Sequence, residues 1–266
     1  MFKTLDREKL DTELRKYLDP AWQKNLSILL FDRIPSTNQI VWDNLEQGEN
    51  NLLVAIASEQ TAGRGQWGRS WQSEQGGLYL SLGLPMEIAL QQGSHITLWS
   101  AWGIAKSLRQ QGIAVYLKWP NDLILEKKKL GGIKTETKVY QEKIIQSVIG
   151  VGINGSNPVP STGINLETFL NQKKKLSVFS LETLAAITLQ GLFLGHQCYQ
   201  KEGIGSILSG YLEYFINLGQ TVLIENCPGM ITGITTQGEL KVRLKSPGAT
   251  TEIILPLGSI QLGYGQ

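Results

Sequence analysis

The sequence predicts an α+β protein: a mixed β-sheet packed with helices, followed by a small β-barrel. Three observations carry that expectation. Strand-length segments (28–31 and 52–57, apolar throughout, and Leu78-Tyr79-Leu80-Ser81-Leu82) interleave with helix-periodic stretches up to residue 218. After Gly219 the texture changes to short strands at roughly ten-residue spacing with turns between them. The 266 residues are enough for one good core and a small second domain. The expected organisation is an N-terminal helical segment over 1–26, a main body over 27–218 and a barrel over 219–266.

Residues 4–18 read as the first helix, with Leu10, Leu14, Tyr17 and Leu18 on one face; Asp19-Pro20 stops it. One short helix before the strands is too little for a DNA-reading helix-turn-helix. Ser36-Thr37-Asn38 is an N-cap cluster opening a helix through Gln47, which Gly48 ends. Ser94 caps the next, in which Leu98, Trp102, Ala105 and Leu108 recur until Gly112; its tryptophans are assigned to the core. Two strands flank Pro120-Asn121-Asp122, and a hairpin joins 131–138 to 144–153. Ser180 opens a helix to Tyr199, and 203–218 hold another. Five strands follow, at 221–224, 230–234, 239–244, 251–255 and 259–262. In the third, Leu240, Val242 and Leu244 alternate with Lys241, Arg243 and Lys245. Lys173-Lys174-Lys175 reads as a solvated loop.

Composition narrows the function classes. A net charge of +2 gives no electrostatic case for nucleic acid or an anionic membrane. No apolar run approaches the roughly 20 residues of a membrane span, and residues 1–19 lack the apolar core of a signal peptide. Cys198 and Cys227 have no CxxC or histidine-rich neighbourhood, which fits a reduced, cytoplasmic protein. His95 and His196 are expected to be structural. The oligomeric state stays open between monomer and homodimer.

The chemistry is expected in segments that mix polar donors with glycine. Gly63, Gly65 and Gly68 match G-x-G-x-x-G, but a turn and a second strand follow where a dinucleotide site needs a helix. Residues 63–71, carrying Arg64 and Arg69, read instead as a lid between two strands, its arginines aimed inward at phosphate or carboxylate. Gln60, at the end of a buried strand, offers a donor and an acceptor to an amide or urea. Ser36-Thr37-Asn38 is explained equally by a helix cap and by a cradle for a polar group. Lys118-Trp119-Pro120-Asn121-Asp122 is either a conformational turn or a phosphate and cation site. In Lys129-Leu130-Gly131-Gly132 the paired glycines bring a lysine close to a ligand. In Gly150-Val151-Gly152-Ile153-Asn154 the alternate glycines leave a flat surface for a ring, or mark a bulge.

Taken together and in order, Ser36–Asn38, Gln60, Gly63–Trp71, Lys118–Leu123, Lys129–Glu136 and Gly150–Asn154 resemble the motifs of the biotin–protein ligases, over roughly residues 27–266. The resemblance implies a mixed-sheet ligase domain with an SH3-like barrel. It implies attack of the biotin carboxylate on the α-phosphate of Mg2+-ATP to give biotinyl-5′-AMP. Transfer to a lysine of the biotin carboxyl carrier domain of acetyl-CoA carboxylase then follows. By the same resemblance Lys129, Arg64 and Lys118 are the catalytic residues. Biotin contacts fall to Ser36, Thr37, Asn38, Gln60, Gly63, Arg64, Gly65, Gln66, Lys129, Gly150 and Gly152. Arg69, Trp71, Lys118, Asn121, Asp122 and Asn154 are assigned to the nucleotide, with Asp122 also facing Mg2+. Two positions depart from the pattern: Gln66 stands where a second arginine is common, and Lys134 replaces an apolar residue. Lipoate or octanoate ligation shares the fold, but a lipoyl tail has no urea for Ser36 and Gln60 to meet. A non-catalytic biotin-responsive regulator would be expected to lack Lys129 and Arg64, and both are present.

Overall fold

The computed structural model describes residues 5–48, 52–173, 179–246, 249–260 and 262–263. In chain order the elements are α1 (Arg7–Tyr17), α2 (Pro20–Gln23), β1 (Leu26–Ile34), α3 (Thr37–Glu46), β2 (Leu52–Gln60), β3 (Leu78–Ala89) and α4 (Gly93–Gln110). Then come β4 (Tyr116–Lys118), β5 (Asp122–Leu125), β6 (Lys128–Tyr140), β7 (Lys143–Ile153), α5 (Leu166–Gln172), α6 (Leu181–Glu202) and α7 (Ile204–Tyr214). The C-terminal strands are β8 (Thr221–Ile224), β9 (Cys227–Ile234), β10 (Leu240–Ser246) and β11 (Ala249–Leu255).

β1 to β7 form one mixed sheet in the order β1-β2-β3-β7-β6-β5-β4. Only β1 and β2 pair in parallel, because α3 carries the chain back between them; every other pair is antiparallel. The alternation of side chains divides this sheet into two faces. Val54, Ile56, Leu80, Leu82, Ile149 and Val151 face the large core with α4, α6 and α7. Leu53, Ala55 and Val148 face Val41 and Leu45 of α3 in a smaller cluster. Helix α4 is buried nearly all round, Trp99 completely, between the sheet and α6. Gly103 and Gly191 permit that close crossing, since a methyl group on Gly103 would strike the Gly191 carbonyl.

The expected elements appear with four differences. Asp19-Pro20 ends α1 but also starts α2, with the Asp19 carboxylate accepting from the Ala21 amide at 2.8 Å. Ser94 caps nothing: α4 begins at Gly93, and the Ser94 hydroxyl donates to the Gln237 carbonyl at 2.5 Å. Helix α5 follows a turn-rich stretch that hid it. The C-terminal segment shows four strands among the described residues, an antiparallel sheet ordered β11-β10-β9-β8, in keeping with a small SH3-like module. Ser259 and Ile260 are not in a strand, and Gln261 lies outside the described residues, as do Lys174, Lys175 and Thr4.

This small sheet is joined to the main body through the β9–β10 turn. His95 Nε2 contacts the Thr236 carbonyl at 2.7 Å, and the Trp119 indole donates to the Gly238 carbonyl at 2.8 Å. His95 Nδ1 meets the Tyr199 hydroxyl at 2.9 Å, so its role is structural. Both cysteines are free. No helix among the described residues is long and apolar enough to cross a membrane.

Candidate active site

The α3 face of the sheet is built in rungs. One rung runs Tyr79–Gly152–Gly132–Asp122–Lys118 across β3, β7, β6, β5 and β4. The next runs Ala55–Ser81–Gly150–Lys134, and the third Leu53–Gly83–Val148–Glu136. The register is regular through Gly150 and Gly152, so these glycines mark a shallow floor and not a bulge. A Cβ on Gly150 would collide with Asn38 Oδ1, and one on Gly152 would lie 2.5 Å from Trp71 Nε1. A ring does lie on that flat surface, and it is the protein's own Trp71.

A bulge is present one element away, and it aims a lysine. Leu123 pairs with Gly131 but Ile124 pairs with Lys129, leaving Leu130 as the extra residue. Without it, the period of two would send Lys129 into the core; with it, Leu130 is buried and Lys129 stands on the site face. Its Nζ lies 2.6 Å from Asp122 Oδ1 and 5.3 Å from the centre of the Trp71 ring. Lys118 Nζ is 3.4 Å from the other Asp122 oxygen. Burial pushes the Lys118 ammonium below the ordinary lysine range; Lys129 and Arg69 add to that, and Asp122 opposes it.

The polar cradle sits at the start of α3. Ser36 occupies the N-cap position but makes no capping bond. Gln60 does that work: its Oε1 accepts from the Thr37 amide at 2.8 Å and the Thr37 hydroxyl at 3.1 Å, while its Nε2 donates to Ser73 Oγ at 2.9 Å. Ser36, Thr37 and Asn38 are each at most 5% exposed.

Two cavities meet at this floor. The first, about 210 Å3, has the cradle at one end and Lys118, Asp122 and Lys129 at the other. The second, about 320 Å3, lies beyond Trp71 among Asn154, Asn157, Pro158 and Thr162. Trp71 and Lys129 line both. The Trp71 indole N–H is buried without a hydrogen-bond partner among the described residues.

The glycine-arginine loop rims the first cavity. Arg64 and Arg69 line it from the rim, and both side chains are exposed. Arg64 Nη2 donates to Gln39 Oε1 at 2.5 Å, and the Arg69 guanidinium lies 5.7 Å from the centre of the Trp67 ring. Trp67, at φ 53°, packs against Gly258, and Ile260 and Leu262 complete the wall from the C-terminal segment.

The bifunctional ligase/repressor BirA of Escherichia coli is 33% identical to this chain over 221 residues, which is 80% of the chain and 68% of that protein. Residues 30–154 match the profile of the biotin/lipoate A/B protein ligase family. The chain belongs to that family. Bacillus subtilis BirA is 31% identical over 150 residues, and the chain spans about half the length of the Bacillus relatives (46% and 45%). A biotin protein ligase from Aquifex aeolicus, solved with biotin and ATP, shares the fold at a TM-score of 0.67 and 22% identity, over 86% of this chain and 95% of that one.

Within this family fold, Ser36, Thr37, Asn38, Gln60, Arg64, Gly65, Gln66, Arg69, Trp71, Lys118, Asn121, Asp122, Lys129, Gly150 and Gly152 converge on one cavity. Gly63 is buried beneath the loop, where a side chain would strike Ser73 Oγ and the Trp71 carbonyl. Asn154 lines the second cavity, its Nδ2 donating to the Ile164 carbonyl at 3.3 Å. The Asn121 amide braces the turn by donating to the Ile133 carbonyl at 2.8 Å. Asp122 does not fit as a protein-held Mg2+ site. Both of its oxygens face ammonium groups, and no cluster of three or more His, Cys, Asp or Glu capable of holding a metal occurs among the described residues. Sequence reasoning missed Ser81 and the Asn157–Thr162 wall, and it gave no role to Trp119 and Glu136, which lie inside two of the quoted motifs. Ser81 is separated from its partners by more than 40 residues, a link only the sheet register creates.

Proposed function

We propose that this chain activates biotin with ATP and transfers it to the lysine of a biotin carboxyl carrier domain. The observation that carries the proposal is that Lys129 lines both cavities at once. A cation at that junction can hold two anions together that repel each other in solution, the carboxylate and the phosphate it attacks. In this reading the ureido ring meets Ser36, Thr37, Asn38 and Gln60, and Gly150 and Gly152 pass beneath biotin as the floor on which Asn38 and Trp71 rest. Gly63, Arg64, Gly65 and Gln66 supply the loop over it. The nucleoside occupies the second cavity between Trp71 and Asn154, with Arg69, Lys118 and Asn121 toward its phosphates. Asp122 organises the two lysines.

The carboxylate oxygen bonds to the α-phosphorus, the bond to the β-phosphate bridge breaks, and pyrophosphate leaves with its electron pair. An acceptor amine then attacks the mixed anhydride carbonyl, loses a proton, and AMP departs. Lys129 and Lys118 stabilise charge in the first step without donating a proton. No step is assigned to a metal held by the protein.

The resident polar groups favour biotin over lipoate, whose tail offers nothing to the four cradle residues. ATP–pyrophosphate exchange with purified protein and either acid tests this. Exchange with biotin alone is the expected result. Exchange with lipoate alone would transfer the proposal to that acid, and exchange with neither would overturn it.

A further inference from the structure

Asn38 projects over Gly150 and is held at both ends of its amide. Ser81 Oγ lies 2.6 Å from its Oδ1 and 2.7 Å from Thr37 Oγ1, with a single proton to place between them, and the Asn38 Nδ2 donates to Glu136 Oε2 at 2.5 Å. Glu136 in turn pairs through its other oxygen with Lys134 Nζ at 3.4 Å. The sheet register creates this chain of contacts. Lys134 and Glu136 are two residues apart on β6, hence on one face, level with Gly150 and Val148 of β7.

The two ends of an asparagine amide have nearly the same shape and opposite hydrogen-bonding character. Packing therefore does not choose between them; the partners do. A serine hydroxyl donates or accepts and is indifferent. A carboxylate only accepts, so Glu136 draws the NH2 end toward itself and turns the carbonyl end toward Ser81. The cost of that choice is a negative charge beside a cavity whose proposed ligand is itself an anion. Lys134 offsets that charge, which accounts for a lysine level with Gly150 and beside Glu136 on this face.

We propose that Glu136, braced by Lys134, is a positioning residue that fixes the direction of the Asn38 amide and so sets how the site reads the ureido group. The inference rests on the biotin reading above. It adds two residues, neither touching the ligand, that determine specificity for the urea over an analogue of altered hydrogen-bonding character.

The test uses the full chain and two ligands, biotin and 2-iminobiotin, in which an imine nitrogen replaces the ureido oxygen. Calorimetry on the unmutated protein comes first: absence of biotin binding would bring down the ligase reading itself, before any variant is considered. Given binding, Glu136→Gln and Glu136→Ala are expected to weaken biotin about tenfold, the worth of one charge-assisted hydrogen bond. They should weaken 2-iminobiotin much less, so that the preference for biotin shrinks. In exchange assays the KM for biotin should rise while kcat at saturating biotin and the KM for ATP hold. Lys134→Met should shift the preference in the same direction, and Lys134→Arg should restore it. Thermal unfolding identifies any variant that fails to fold, and the isosteric Glu136→Gln, with Lys134→Met, keeps the test decisive in that case. An unchanged preference in folded variants, or an equal loss for both ligands, would overturn the proposal.

Discussion

Replacing Gly152 by alanine would separate the role of Trp71 as a wall from its role as packing. The new methyl would sit 2.5 Å from Trp71 Nε1 and 2.7 Å from Cε2, so one partner must retreat by roughly 1 Å to reach ordinary contact. Gly152 is held by pairing to Tyr79 on one side and Gly132 on the other, so the indole moves. Overpacking typically costs about 1–3 kcal/mol, and the low end applies because Trp71 is half-buried and borders an open cavity. A loss near 1 kcal/mol corresponds to about 2–4 °C in Tm for a domain of this size class. The functional effect is larger than the structural one, because the ring retreats toward the space assigned to the nucleoside. The KM for ATP in pyrophosphate exchange at saturating biotin should rise by about tenfold, equivalent to ~1.4 kcal/mol. Titration of ATP alongside thermal unfolding measures both quantities. An unchanged KM would show that Trp71 does not bound the nucleotide site, and a collapse of the fold would show that the ring cannot yield.

Three further outcomes follow from the site and core. Lys129→Ala should abolish measurable adenylate formation, at least about a 10²-fold fall in exchange, with the unfolding midpoint nearly retained; unchanged turnover refutes the role given to Lys129. Arg64→Ala should leave stability within about 0.5 kcal/mol, since the side chain is exposed, but accelerate dissociation of biotin and its adenylate, as stopped-flow release would show. Burial lowers the imidazoles of His95 and His196 below the ordinary histidine range, against which the Thr236 carbonyl partly acts at His95. The unfolded chain then binds protons near pH 6.5 that the folded chain takes up only at lower pH. Stability should therefore fall as pH drops below about 6.5, and urea midpoints that stay level from pH 7.5 to 5.5 would contradict this.

Much of the architecture was legible because local patterns and tertiary environment agree. The periodicity of α1 and the Ser180 cap on α6 each rest on interactions within a few residues. The departures have separate causes: Ser94 has the chemistry of a cap, but its hydroxyl is taken by Gln237, 143 residues away. α5 is seven residues long, two turns, too short for a periodic signal to rise above its turn-rich surroundings.

The sequence alone determined which chemical groups this protein brings to its site: the cradle residues, the paired glycines, the lysines and the loop that rims them. Those are matters of residue type and order. The tertiary structure decided where each group points. The Leu130 bulge turns Lys129 out of the core and onto the floor. The register of β4, β5 and β6 sets Asp122 between the ammonium groups of Lys118 and Lys129. The rungs joining Ser81, Gly150, Lys134 and Glu136 give Asn38 its direction. Strand register sets such relations, and register depends on contacts among strands far apart in the chain, which no local pattern of residues encodes.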